Sequence, residues 1–191
     1  FLVLTMTTSL AKQKLTPIST IQGASDSSGI IGKMVSLEGV VTANFQEDKS
    51  FAGFFVQDVN TQHSDKNKSN GIFVYESQKR VKVGDLVRLK GRVSEHKGMT
   101  QIKDVKALKV LKNQQKLPHP KAIALPLKSF NLESLEGMRV TVDQGAVITD
   151  HYNYIKFGEF MVSSQLMMIP TNTVSPGPMV KKMQQDSVDD R

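Results

Sequence analysis

A ten-residue pattern occurs twice in this chain, as GKMVSLEGVV at residues 32–41 and as GDLVRLKGRV at residues 84–93. Each copy opens on glycine, alternates apolar with polar residues, and places a second glycine at the same internal position. Such alternation is the signature of a half-buried strand, whose successive side chains point to opposite faces. In the first copy Val35, Leu37 and Val41 share one face and Ser36, Glu38 and Thr42 the other. In the second, Val87, Leu89 and Val93 oppose Leu86, Arg88, Lys90 and Arg92. Gly39 and Gly91 occupy matched positions, where a missing side chain permits the bend or bulge that a small, strongly curved barrel needs. Two equivalent walls of one barrel are therefore expected.

The intervening and following residues supply the other walls. AGFFVQDV at residues 52–59 and GIFVYES at residues 71–77 read as short aromatic strands, separated by the polar stretch NTQHSDKNKSN, which belongs in an exposed loop. GMTQIKDVKALKVL, from Gly98, supplies a fifth strand. Five short strands with glycines at matched bends give an all-β fold, a five-stranded OB-like barrel at residues 30–112, with an SH3-like barrel as the competing architecture. The prolines of residues 113–128 make that stretch an extended linker. A second, smaller β unit is expected at residues 129–174, where EGMRVTVDQGAVITD repeats the alternation. Residues 175–191 have no apolar period and read as a tail leading onward. Residues 1–29 read as a lead-in, whose apolar start and Ser9-Leu10-Ala11 resemble the end of a secretory signal.

Charge narrows the choice of partner. Residues 79–121 hold thirteen Lys or Arg against Asp85, Glu95 and Asp104, a balance of +10 in a chain whose net charge is +7. A field concentrated in one segment attracts a polyanion, whereas the same charge spread evenly mainly aids solubility. With no cysteine, neither a disulfide nor a thiolate metal site can form. No stretch approaches the ~20 apolar residues of a membrane-spanning helix.

An OB-fold binds single strands with cations that follow the phosphates and aromatic rings on which bases stack. Arg88, Lys90 and Arg92 project from one face of one strand, ~7 Å apart by strand rise, close to the spacing of phosphates along a nucleic acid strand. Lys97, in the loop with His96 and Gly98, and Lys103 on the next strand extend this basic set. Alternation places Phe55, Phe73 and Tyr75 on the outer face if Phe54, Val56, Ile72 and Val74 mark the core. Phosphate contacts carry no sequence information, so binding is expected to tolerate any sequence. No catalytic residue is identified, and Asp150-His151 is a lone dipeptide. Asp58, Asn60, Asp65 and Asn67 match no calcium-loop order. His63, His96, His119 and His151 lack ligand spacing, so no metal site is expected. Protein-interaction and saccharide-binding modules are the alternatives that this architecture also supports.

In their order and spacing, ISTIQG, VSLEGVVTANFQ, GFFVQD, GIFVYES, VKVGDLVRLKGRVSEHKGMTQI, LEGMRVTV and YIKFGEFMVSS resemble the non-catalytic region of bacterial extracellular nucleases, whose catalytic part belongs to the endonuclease/exonuclease/phosphatase family. The resemblance implies a nucleic-acid-binding module of a secreted enzyme, with a phosphodiesterase domain following in cis. It implies a divalent metal, Mg or Ca, in that catalytic domain and no cofactor in this segment. The Gly-Asp-x-Asn strand and the terminal Asp-His pair of such nucleases do not occur here. This segment is therefore expected to be non-catalytic, extracellular and free of membrane partners.

Overall fold

The two glycine-centred repeats lie side by side. In the computed structural model, β1 (Met34–Phe45) and β4 (Leu86–His96) pair antiparallel so that Leu37 faces Leu89, Val35 faces Gly91 and Gly39 faces Val87. Each repeat glycine thus sits opposite a valine of the other copy. The leading glycines match as well: Gly32 and Gly84 take φ of 83° and 88°, a region that favours glycine. Gly32 N–H donates to Val93 O and Gly84 N–H to Val41 O, both at 2.9 Å, so the ribbon is closed in the same way at each end.

The structure describes residues 14–47, 51–59, 65, 67–127, 131–157, 160–166 and 168–189, without the side chains of 156–157 and 187–189. The leader-like residues 1–11, Asn60 and His63 lie outside the described residues.

β2 (Gly53–Gln57) and β3 (Gly71–Tyr75) form an antiparallel hairpin, and β5 (Met99–Lys112) returns beside β4. The sheet closes in the order β1-β2-β3-β5-β4, with β3 and β5 parallel. An up-and-down meander has only antiparallel neighbours, so this parallel closing pair marks a Greek-key path. The barrel is an OB-fold.

Inside it, Val35, Leu37, Val41, Phe54, Val56, Ile72, Val74, Val87, Leu89, Val93 and Ile102 form one apolar core. Glycine is required where walls approach closely. A Cβ on Gly91 would lie 2.3 Å from Ile102 Cγ2, and one on Gly39 would lie 2.6 Å from Val56 Cγ1. The helix α1 (Ile18–Gln22) precedes the barrel in sequence but inserts Ile18 and Ile21 into this core, both fully buried. Apolar residues three apart fall on one side of a helical turn, which is why so short a helix can plug a barrel end.

The smaller β unit comprises two minimal sheets. β6 (Lys121–Ile123), from the proline-rich stretch, pairs in parallel with β7 (Val140–Val142); β8 (Val147–Asp150) pairs antiparallel with β9 (Met161–Ser163). Between β8 and β9 lies the single turn α2 (Tyr154–Phe157), and α3 (Pro178–Asp189) forms where the sequence shows no apolar period. The 3-10 turn Leu132–Leu135 and the residues after it rest on the barrel: a Cβ on Gly71 would lie 2.3 Å from the carbonyl of Gly137.

Candidate nucleic-acid interface

One side of the barrel carries rings instead of charges. Phe54 and Val56 of β2 are fully buried, so Phe55 between them points outward, and the register sets it opposite Ala43 of β1 and Phe73 of β3. The Phe55 and Phe73 ring centroids are 5.0 Å apart; Phe45 meets Phe55 edge-on at 6.2 Å and Phe51 at 5.4 Å. These spacings are those of favourable aromatic pairs. Tyr75 stands beside them, opposite Gly53, which in turn pairs with Phe45. A Cβ on Gly53 would lie 2.4 Å from Phe73 Cζ, so the Phe73 ring lies over that glycine.

Exposure separates the rings by role. Tyr75 and Phe51 are about half exposed, at 54% and 48%, and Phe45 is exposed at 36%. Phe73 is only 4% exposed. It lies on the outer face with Phe55, but it is covered and acts as a floor under the other rings.

Phe45 and Phe51 are absent from the sequence-derived set. Alternation from Val41 would carry residue 45 into the core. A β-bulge between Val41 and Ala43 adds one residue to β1 and reverses the faces. Its trace in the sequence is the Val40-Val41 pair, both fully buried.

The cations form an adjoining strip. Arg88, Lys90 and Arg92 share the outer face of β4, where Arg88 pairs with Lys109, and Arg92 with Lys103, across β5. Phe73 of β3 is level with Gln101 of β5. Continuing that register sets Tyr75 beside Lys103, so the rings and the basic strip meet at the parallel pair. Arg80, exposed, donates from Nη1 to Gln46 O at 2.7 Å and adds a cation next to the aromatic end of β1. Lys97 is exposed at the β4–β5 hairpin tip, with φ of 52°, away from the rings.

Two of the strip's arginines already hold carboxylates. Arg88 donates to Glu38 Oε2 from Nη2 at 2.7 Å and from Nε at 3.0 Å. Arg92 donates to Asp104 Oδ2 at 3.2 Å and to Gly32 O at 2.8 Å. Both pairs are solvent-exposed, where an ion pair stabilises by only ~0.2–1 kcal/mol, so a phosphate can displace either carboxylate. Among the described residues Lys90 and Lys103 hold no carboxylate.

The sequence matches no family model, and no curated protein matches it. Among solved structures, the chain is similar to the mitochondrial single-stranded DNA binding protein Rim1 from S. cerevisiae. One crystal form is 17% identical with a TM-score of 0.32, over 44% of this chain and 99% of that one. A second, selenomethionine-labelled form has the same identity and score, over 43% and 96%. The fold rests on the barrel's own closure order.

Among the described residues no three His, Asp or Glu side chains come together to hold a metal ion. Asp58 and Asp65 line one cavity with His119, amid lysines, while His96 and His151 are exposed. Asp58 itself is singled out by its burial, which pushes its carboxyl up to about 6 against a hydrogen bond from Ile18 N–H at 3.1 Å that lowers it.

Proposed function

We propose that this barrel binds single-stranded nucleic acid without sequence preference and, in a secreted nuclease, presents it to a phosphodiesterase domain. The observation that carries the reading is the junction of the exposed rings Tyr75, Phe45 and Phe51, with half-buried Phe55 among them, and the basic strip of β4 and β5. Bases stack on the rings while the backbone follows the cations, the division of labour that sequence-tolerant single-strand binding requires. The nuclease setting is supported by the ordered motifs of the sequence, and any divalent metal belongs to the catalytic domain.

Fluorescence anisotropy with a labelled single-stranded oligonucleotide at low salt tests the binding. Phe55→Ala and Tyr75→Ala should each weaken it by ~1–3 kcal/mol. Absence of binding, or binding indifferent to both substitutions, would sink the reading.

A second reading, a module that packs on another protein domain, is favoured by the apolar surface of the smaller β unit. Ile148, Ile155, Phe160, Leu166 and Ile169 are all exposed there. It predicts that charge substitutions in β4 leave the partner contact unchanged.

A further inference from the structure

A cavity of about 490 Å³ opens at the loop end of the β2–β3 hairpin, on the far side of the rings from Tyr75. Its size lies within the ~300–1,000 Å³ of small-molecule sites. We propose that it takes the terminal nucleotide of a single strand, base inward and phosphate at the rim. The inference rests on the strand-binding reading for the identity of its ligand.

The lining has the polarity that such a ligand needs. Its buried polar residues are Gln57, Asn70 and Ser134, with the carboxyl of Asp58 beside them. Amides and a carboxyl offer the donors and acceptors that read a base edge. Gln57 is oriented by accepting a hydrogen bond from Arg139 N–H at 3.1 Å. Leu117, Pro118, Leu135 and Met138 supply apolar surface against which a flat ring can lie. The cations are at the outside: Lys116 and Lys121 are exposed, and among the described residues neither is in an ion pair. Lys68 is half-buried and lies 3.7 Å from Asp65.

This layout fixes the direction of entry. A phosphate driven inward would meet the carboxyl of Asp58, whereas at the rim it meets Lys116 and Lys121. A base driven inward exchanges water for the apolar lining and presents its edge to the amides. The site is also within reach of the rings, since Gln57 follows Phe55 on the outer face of β2 by two residues, ~7 Å of strand rise and about one nucleotide step.

The test compares AMP, adenosine and inorganic phosphate by isothermal titration calorimetry on the full chain at low salt. AMP should bind about tenfold more tightly than either fragment, and Lys116→Ala with Lys121→Ala should cost about tenfold, the scale of charge-assisted hydrogen bonds. An oligonucleotide with a terminal phosphate should also outcompete its hydroxyl-ended counterpart. Phosphate binding as tightly as AMP, no AMP binding, or equal affinity of the two oligonucleotides would each overturn the inference. Failure of AMP while oligonucleotides still bind leaves the strand-binding reading standing. AMP binding without any oligonucleotide binding supports the cavity and overturns that reading.

Discussion

Gly53 shows how one missing side chain builds a binding surface. The Phe73 ring lies over it, and an added Cβ would lie 2.3 Å from Val74 O, a backbone atom that cannot yield as a side-chain tip can. Gly53→Ala should therefore cost ~1–3 kcal/mol, the range for overpacked sites. The denaturation midpoint should fall, and strand affinity should fall with it as the Phe73 floor shifts. Unchanged stability would mean that the rings have room the close contacts deny. Asp58 makes a different residue-scale case. Its carboxyl titrates near 3.8 in an unfolded chain and near 6 when folded, because burial disfavours the charge. Between those values the folded state holds the extra proton, so this residue's contribution to stability declines as pH rises through the window. Asp58→Asn keeps an acceptor for Ile18 N–H and has no charge to bury. The stability of the variant relative to the parent, from urea midpoints at pH 4, 5, 6 and 7, should climb with pH and level off above 6. A flat difference would show that the carboxyl is not desolvated.

At the scale of elements, β4 is a basic track partly occupied by its neighbours. Glu38 of β1 faces Arg88 directly in the register, and Asp104 reaches Arg92 from β5. Each carboxylate competes with phosphate for the same guanidinium. Glu38→Gln should therefore raise affinity for single-stranded DNA by about 1.4- to 5-fold, the worth of an exposed ion pair, whereas Lys90→Ala should lower it. Anisotropy titrations over a salt series check this: the log–log slope, ~0.7 per phosphate contacted, should steepen in Glu38→Gln and flatten in Lys90→Ala. Unchanged slopes in both would remove β4 from the interface. These same elements show what sequence can convey. The inward set Val87, Leu89 and Val93 and the outward set Arg88, Lys90 and Arg92 follow from period two alone. Phe45 does not, because a bulge reverses the period without altering composition. Nor does the core role of Ile18 and Ile21, since a five-residue helix is too short to display periodicity and its partners lie far along the chain.

Over the whole molecule, closure of the barrel was legible from five strands and twin glycines, but the way the later residues close over it was not. That contact depends on single polar residues with no pattern to announce them. Glu136 is the clearest: Oε1 accepts from Gln22 Nε2 of α1 at 3.1 Å and from Thr100 N–H of β5 at 3.0 Å, while its carbonyl accepts from the Ser69 hydroxyl ahead of β3. One side chain thus ties the plug helix and the β4–β5 hairpin to the segment after the linker. Burial raises its carboxyl above the ordinary range, helped by the charges of Glu133 and Glu95, while the Gln22 and Thr100 hydrogen bonds lower it. The carboxylate is therefore held at a cost that an amide would avoid. Glu136→Ala strips both donors of their acceptor and should destabilise by ~1.5–3 kcal/mol, as for hydrogen bonds to a charged group. Glu136→Gln keeps an acceptor and should stay close to the parent at neutral pH. If the segment and barrel form one cooperative unit, Glu136→Ala shifts a single unfolding transition seen alike by far-UV circular dichroism and by Tyr fluorescence. Two separated transitions, with the barrel's midpoint unmoved, would show that residues after the linker fold on their own and that the cavity they help to line is not a fixed part of the barrel.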